Sequence, residues 1–270
     1  MTEASERGVP DGGAALSGAR KLLVIGIGAG DPEDLTLRAV RAIGEADVFF
    51  LLDKGEAKES MIRLRREMLA AYAKPGHRVA EGVDPDRDRR PADYPEAVAA
   101  WRARRAEITG DLIRGHLAEG ETGAFLVWGD PSLYDSTLGV LADLDVPVEV
   151  TVVAGISSVS SLAARHGIGL NRVGGAVAVT TGRRLSEGWP DGVDDVVVML
   201  DARQAFAGVP AEGVEIYWGA YLGTPDELLV AGPLAEVAGE ISRVRAAARA
   251  RHGWIMDTYL LRRTTTPPPR

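Results

Sequence analysis

The 270-residue chain contains no cysteine, which excludes disulfide bridges and any metal site built on thiolates. Its only histidines are His77, His116, His166 and His252, and none stands in the HExxH spacing that places a zinc-binding pair on one helix face. No metal is expected. No apolar run reaches the ~18 residues that a membrane span needs. Met1 to Arg20, rich in Gly, Ala, Ser and Glu, lacks the apolar stretch of a signal peptide. Positive charge is in deficit, with 31 Lys and Arg against 39 Asp and Glu and a net charge of −8. Binding to a phosphate backbone calls for a basic face, so nucleic acid is not expected as the main partner. A basic cleft inside an acidic shell stays compatible with that balance. What is left is a cytoplasmic protein of ordinary globular composition, 46% hydrophobic and 26% charged, with no membrane partner.

What is present is organised around Lys21 to Asp31, KLLVIGIGAGD. The apolar run Leu22–Ile25 stops at Gly26, Gly28 and Gly30, as a strand buried on both faces in a parallel sheet does. Glycines at a strand's carboxyl end let backbone approach a ligand closely. Asp31, Glu33 and Asp34 then crowd the start of the next helix. A helix start built for pyrophosphate keeps its N–H groups open to an anion, and these acids repel one. Asp31 also stands where a dinucleotide GxGxxG pattern needs glycine. The turn suits a nucleotide-like ligand without phosphates, and S-adenosylmethionine fits that description.

The length allows one large or two ordinary α/β domains. Helical spacing predicts helices over Leu35–Gly44, Lys58–Ala73 (Met61, Leu64, Met68 and Tyr72 on one face), Pro95–Glu119 and Pro233–Ala250. Strands are expected at Asp47–Gly55, Gly123–Pro131, Val146–Gly155, Gly175–Thr181, Asp194–Leu200, Val214–Gly223 and Gly253–Leu261, with a helix before the second-last of them. Pro75 to Glu96 reads as loop. Strands alternating with helices in both halves argue for two α/β domains, 21–145 and 146–263, between tails at 1–20 and 264–270 that read as disordered. No internal repeat is visible.

Four turns follow predicted strands: Gly26–Asp31, Trp128–Tyr134, Gly155–Ser158 and Thr180–Arg184. A cleft between two sheets could collect them. Each also has a plainer reading. The first can be a simple strand-to-helix turn. Asp130 and the Ser157–Ser158 hydroxyls can serve as helix caps. Arg183 and Arg184 can be solvated surface residues, although paired arginines suit a polycarboxylate through bidentate bonds.

In order and spacing, GIGAGDPEDLTLRAVRAIGEADVFF, WGDPSLYDS, VVAGISSVSSLAARHGI and GTPDELLVAGPL resemble the successive motifs of the tetrapyrrole (corrin/porphyrin) methylase family, over about Lys21 to Arg262. The resemblance implies two αβα domains, usually in a homodimer, with S-adenosylmethionine in the cleft between them. By position it assigns cofactor contact to Gly28, Trp128, Gly129, Asp130, Leu133, Ser157, Ser158, Met199 and Gly219 or Ala220. This chain has Trp128 where relatives have glycine, and Ala29 where they have proline. LLDKG at 51–55, LNRVGGAVAVTTGRRL at 170–185 and WIMDTYLLR at 254–262 point within the family to a methyltransferase of cobalamin biosynthesis acting on carbon 1 of a precorrin, with loss of acetate. Loss of an acetyl group needs a base for water and a donor for the developing oxyanion. From placement alone, Asp53 is the candidate base, Lys54 or Tyr134 the donor, and Arg183 and Arg184 the holders of substrate carboxylates. Other readings are another precorrin carbon, diphthamide or ribosomal RNA as substrate, a Rossmann oxidoreductase, and a non-catalytic tetrapyrrole carrier.

Overall fold

A computed structural model of the chain describes residues 20–53, 59–85 and 94–264. Lys54 and both expected tails, apart from Arg20 and Thr264 at their inner ends, lie outside the described residues. The strands are β1 (Arg20–Gly26), β2 (Val48–Asp53), β3 (Arg78–Val83), β4 (Thr122–Val127), β5 (Val148–Val153), β6 (Val177–Thr181), β7 (Asp195–Met199), β8 (Val214–Ala220), β9 (Leu228–Pro233) and β10 (Asp257–Arg263). The helices are α1 (Leu37–Glu45), α2 (Glu59–Tyr72), α3 (Tyr94–His116), α4 (Thr137–Ala142), α5 (Ser158–His166), the single turn α6 (Gly182–Leu185) and α7 (Leu234–His252). They build two five-stranded sheets, ordered β3-β2-β4-β1-β5 and β6-β7-β10-β8-β9. The fold is α/β with two sheets, as the alternation of elements predicts.

The first sheet is wholly parallel. Such strands are covered on both faces, and Leu22, Val24 and Ile25 of β1 are fully buried. On one face Ile25 and Phe49 pack with Ile43 of α1 and Met68 of α2. On the other Leu22, Val24 and Phe50 pack with Ile113 of α3 and Leu141 of α4. Each fully buried side chain of this kind is worth roughly 1.5–3 kcal/mol. In the second sheet β6 and β7 are parallel, while β10 runs antiparallel to β7 and β8, and β9 antiparallel to β8. One face packs Val198, Ile216, Trp218 and Tyr259 against Leu234 and Ile241 of α7. The other packs Val197 and Leu260 against Val159 and Leu162 of α5.

Four expectations need correction. β5 is the edge strand of the first sheet, paired with β1 from Arg20↔Val148 to Ile25↔Val153. The change of sheet therefore falls after Val153 and not at Asp145. α5, although it follows β5, packs on the second sheet. Arg20, assigned to the tail, opens β1. The segment read as loop from Pro75 contains β3, an edge strand with Ala80 buried and its charged Arg78 and Glu81 exposed. β9 escapes the sequence reading, and the helix expected before Val214 is only a 3-10 turn, Ala205–Gly208.

Candidate active site

The carboxyl ends of β1, β4 and β5 meet with almost no side chain between them. Gly28 and Gly129 form an antiparallel bridge, with Gly129 N donating to Gly28 O at 2.7 Å and Gly28 N to Gly129 O at 3.3 Å. Both sit at positive φ, 78° and 71°, where a side chain is strained. A Cβ on Gly26 would lie 2.6 Å from Gly155 N and 2.8 Å from Gly129 O. A Cβ on Gly155 would run into that same carbonyl oxygen. The three turns thus pack backbone on backbone. Beside Gly129, Ser157 Cα and Ser158 N stand 3.8 Å from a Cβ position, so bare backbone faces the start of α5.

Asp130 clamps this junction. Its Oδ2 accepts from Gly155 N at 2.9 Å, and Oδ1 accepts from Ser132 N at 2.9 Å and from the Ser132 hydroxyl. Burial pushes its carboxyl up, but the bonds from Ser132 and Gly155 outweigh that and hold it below the ordinary value. Asp130 therefore spans two turns, a wider role than a helix cap. Ser157 does cap α5, accepting from Ser160 N at 3.3 Å.

The helix start after β1 is arranged differently from expectation. Asp31 closes a 3-10 turn, Pro32–Asp34, by accepting from Glu33 N at 2.9 Å, and α1 begins only at Leu37, capped by Thr36. The acids crowd the short turn instead of the α-helix. Asp34 packs against Gly28, and burial together with the charge of Asp31 pushes its carboxyl up. On the far side, a Cβ on Gly30 would lie 2.6 Å from Leu222 O and a Cβ on Gly223 2.6 Å from Asp31 N. Arg165 of α5 ties the same region, 3.2 Å from both Asp31 and Glu227. Asp34 was singled out in the sequence only as one of the acids at a helix start, and Arg165 and the Leu222–Thr224 turn were not singled out. For Gly223 the signal was a second glycine turn closing a strand.

Of the remaining candidates, Leu133 and Met199 join Ala29, Val159, Leu162 and Leu222 in the apolar cluster between the two halves. Gly219 faces the same side, since a Cβ there would meet Leu162 and Leu222. Ala220 points to the opposite face, against α7, leaving only its backbone for the junction. Trp128 turns its ring toward the α1–α2 face. Tyr134, at φ 52° and 45% exposed, donates its hydroxyl to Val179 O of β6 at 3.2 Å and links the halves. Asp53 ends β2, paired with Val83. Arg183 and Arg184 lie exposed on α6, where Arg184 is 2.7 Å from Glu187.

A glycine-floored junction between a parallel sheet and a mixed one defines the class: the chain belongs to the tetrapyrrole (corrin/porphyrin) methylase family, whose model matches residues 21–238. More particularly, it is 46% identical over 254 residues to a precorrin-6A synthase (deacetylating) from Sinorhizobium, an alignment covering 92% of this chain and 97% of that one. A Corynebacterium diphtheriae structure described as a cobalamin synthesis related protein (CobF) matches with a TM-score of 0.78 and 38% identity, over 92% of this chain and 100% of that one. A uroporphyrin-III C-methyltransferase from Thermus thermophilus, in complex with S-adenosylhomocysteine, shares the fold with a TM-score of 0.54 and 23% identity, over 90% of this chain and 98% of that one.

Proposed function

We propose that the chain is a methyltransferase of cobalamin biosynthesis that converts precorrin-5, S-adenosylmethionine and water to precorrin-6A, S-adenosylhomocysteine and acetate. The observation that carries this reading is the 46% identity to a precorrin-6A synthase across nearly the full length of both chains. The residues fit the cofactor. Phosphate-free ligands suit a turn where Asp31 takes the Glu33 N–H and further acids stand beside it, and Gly28, Gly129, Ser157 and Ser158 offer bare backbone for close approach. Leu133 and Met199 supply apolar surface beside them. When bound, S-adenosylmethionine brings a methyl group on a sulfonium. The protein's part is to hold the ring carbon in line with it, because orientation accounts for much of such a barrier.

Acetate release needs a proton acceptor for water and a donor for the oxyanion. Asp53 at the end of β2 and the Tyr134 hydroxyl are the proposed pair, and Arg183 with Arg184 the proposed grip on peripheral carboxylates. A soluble cytoplasmic homodimer is the proposed working form. Among the described residues no helix is long and apolar enough to cross a membrane. Incubation with methyl-labelled S-adenosylmethionine and precorrin-5 should yield a labelled ring and one equivalent of acetate. A labelled ring without acetate would move the reaction to another precorrin carbon. Binding of the macrocycle with neither product would leave a carrier.

A further inference from the structure

The first sheet splits at its carboxyl end. β2 stays paired with β3 as far as Asp53, and β4 with β1 as far as Val127, yet β2 and β4 pair only at Val48↔Gly123 and Phe49↔Ala124. Beyond that point Arg65 of α2 fills the opening. Its Nε donates to Leu126 O on β4 at 3.0 Å, and its Nη1 to Met61 O, one helical turn back, at 3.3 Å. The guanidinium lies 5.9 Å from the centre of the Trp128 ring. Trp128 Nε1 is buried and has no acceptor among the described residues.

Guanidinium and indole N–H only donate. The buried Arg245 and Arg105 and the half-buried Arg262 face carboxylates: Arg245 is 2.8 Å from Asp257, Arg105 3.0 Å from Asp84 and Arg262 2.6 Å from Asp195. Arg65 forms no ion pair among the described residues, and Asp135 acts on it only at longer range. Part of its side chain reaches the surface, but desolvation pushes the guanidinium down to about 10. A desolvated cation is costly unless an anion meets it. The position also fits a ligand. Helices following β1 and β2 cover one face of the sheet and those following β3 and β4 the other, so the chain changes sides between β2 and β4, where open α/β sheets bind ligands.

We propose that Arg65 and Trp128 form a donor-only receptor, in the split between β2 and β4, for one carboxylate of the tetrapyrrole substrate. This rests on the methyltransferase reading and deepens it. Trp128 joins the two regions: its backbone precedes Gly129 of the glycine junction and its indole lies beside the Arg65 guanidinium. A carboxylate held there sets the macrocycle beside the cofactor turns. The carboxylate of the cofactor's amino-acid portion has the same chemistry and is the alternative source.

Four proteins decide it: wild type, Arg65→Met, Arg65→Lys and Trp128→Phe. Each is assayed for KM and kcat with the precorrin and for binding of S-adenosylhomocysteine and of methylthioadenosine, which lacks the carboxylate. Arg65→Met should raise KM more than tenfold with kcat changed less than threefold, and Arg65→Lys should recover part of the loss. Trp128→Phe, which keeps a ring and removes the N–H, should raise KM severalfold and serves as the test should Arg65→Met fail to fold. Affinity for S-adenosylhomocysteine should stay within twofold. Wild-type KM in both Arg65→Met and Trp128→Phe overturns the receptor. A tenfold loss of S-adenosylhomocysteine binding with methylthioadenosine unaffected overturns the substrate assignment and gives the carboxylate to the cofactor. A wild type that binds the cofactor product but turns over no precorrin overturns the methyltransferase reading, and the receptor with it.

Discussion

The two sheets differ in what holds them in place. At the carboxyl ends of the parallel sheet, Gly26, Gly28, Gly129 and Gly155 touch through backbone, and the clamp is one carboxylate, Asp130. In the mixed sheet the core carries a polar network that joins distant elements. Arg245 of α7 pairs with Asp257 of β10, each side chain 5% exposed, and donates to Asp201 O at 2.7 Å. Trp218 of β8 donates to Asp257 at 3.0 Å, and Tyr259 to Asp201 at 2.7 Å. Burial pushes the Asp257 carboxyl up against the pull of Arg245, and burial with the nearby Asp201 charge pushes the Tyr259 hydroxyl up. Backbone shape thus sets the ligand-facing end of one sheet, and a buried polar network the core of the other. Changes in the first should act mainly on ligand affinity, and changes in the second mainly on stability.

The strongest test lies in the second half. Arg245→Met strands Asp257 as a buried unpaired carboxylate and should cost about 3–5 kcal/mol in urea unfolding. The folded fraction should bind S-adenosylhomocysteine within twofold of wild type, and a large affinity loss would break the comparison. Gly155→Ala drives a Cβ into the Gly129 carbonyl and should cost about 1–3 kcal/mol, while calorimetry should show affinity lowered more than tenfold.

Arg183→Ala sharpens the contrast from the other side, because α6 belongs to the second half yet is proposed to act on substrate. KM for the precorrin should rise more than tenfold at low salt and less at high salt, where exposed pairs are screened, with the melting temperature unchanged. Arg184→Ala, at the residue 2.7 Å from Glu187, should raise KM in the same way.

The smallest effect expected is a pH dependence. The folded Asp130 carboxyl is held below its ordinary value, so its contribution is complete above the unfolded pKa of about 3.9 and disappears as pH falls through the folded one. Asp130→Asn should therefore be less stable than wild type by about 1 kcal/mol at pH 7. The two unfolding curves should converge at acid pH, and a constant gap down to pH 2 would show that Asp130 is not the group responsible.

Much of this division was legible beforehand. The apolar run into Gly26, Gly28 and Gly30 marked the central strand, and GDP at 129–131 marked the turn that meets it. Pairing partners were not legible. β5 alternates valine with Glu149 and Thr151 yet exposes Val150 and Val152, and nothing in VEVTVV says which sheet it joins. β3 hides in charged sequence because an edge strand needs few buried residues, and β9 hides because its Gly232-Pro233 end reads as a helix start. Arg65 could have been found. It stands four residues after Met61 and three before Met68, on the apolar stripe of its helix, where an arginine is out of pattern. The Tyr134 contact with Val179 joins residues 45 apart and had no sequence signal.

The glycine junction also limits how such a protein can diversify. Gly26 and Gly155 occupy each other's side-chain space against the Gly129 carbonyl, so exchanging either for a larger residue requires the backbone opposite to move with it, and single steps there are closed. On the proposed reading, substrate preference can change gradually only where side chains are proposed to meet the ligand, at Arg65 of α2 and at Arg183 and Arg184 of α6. A designer seeking a new macrocycle specificity should vary the neighbours of Arg65 and of α6 and leave the turns after β1, β4 and β5 as they are.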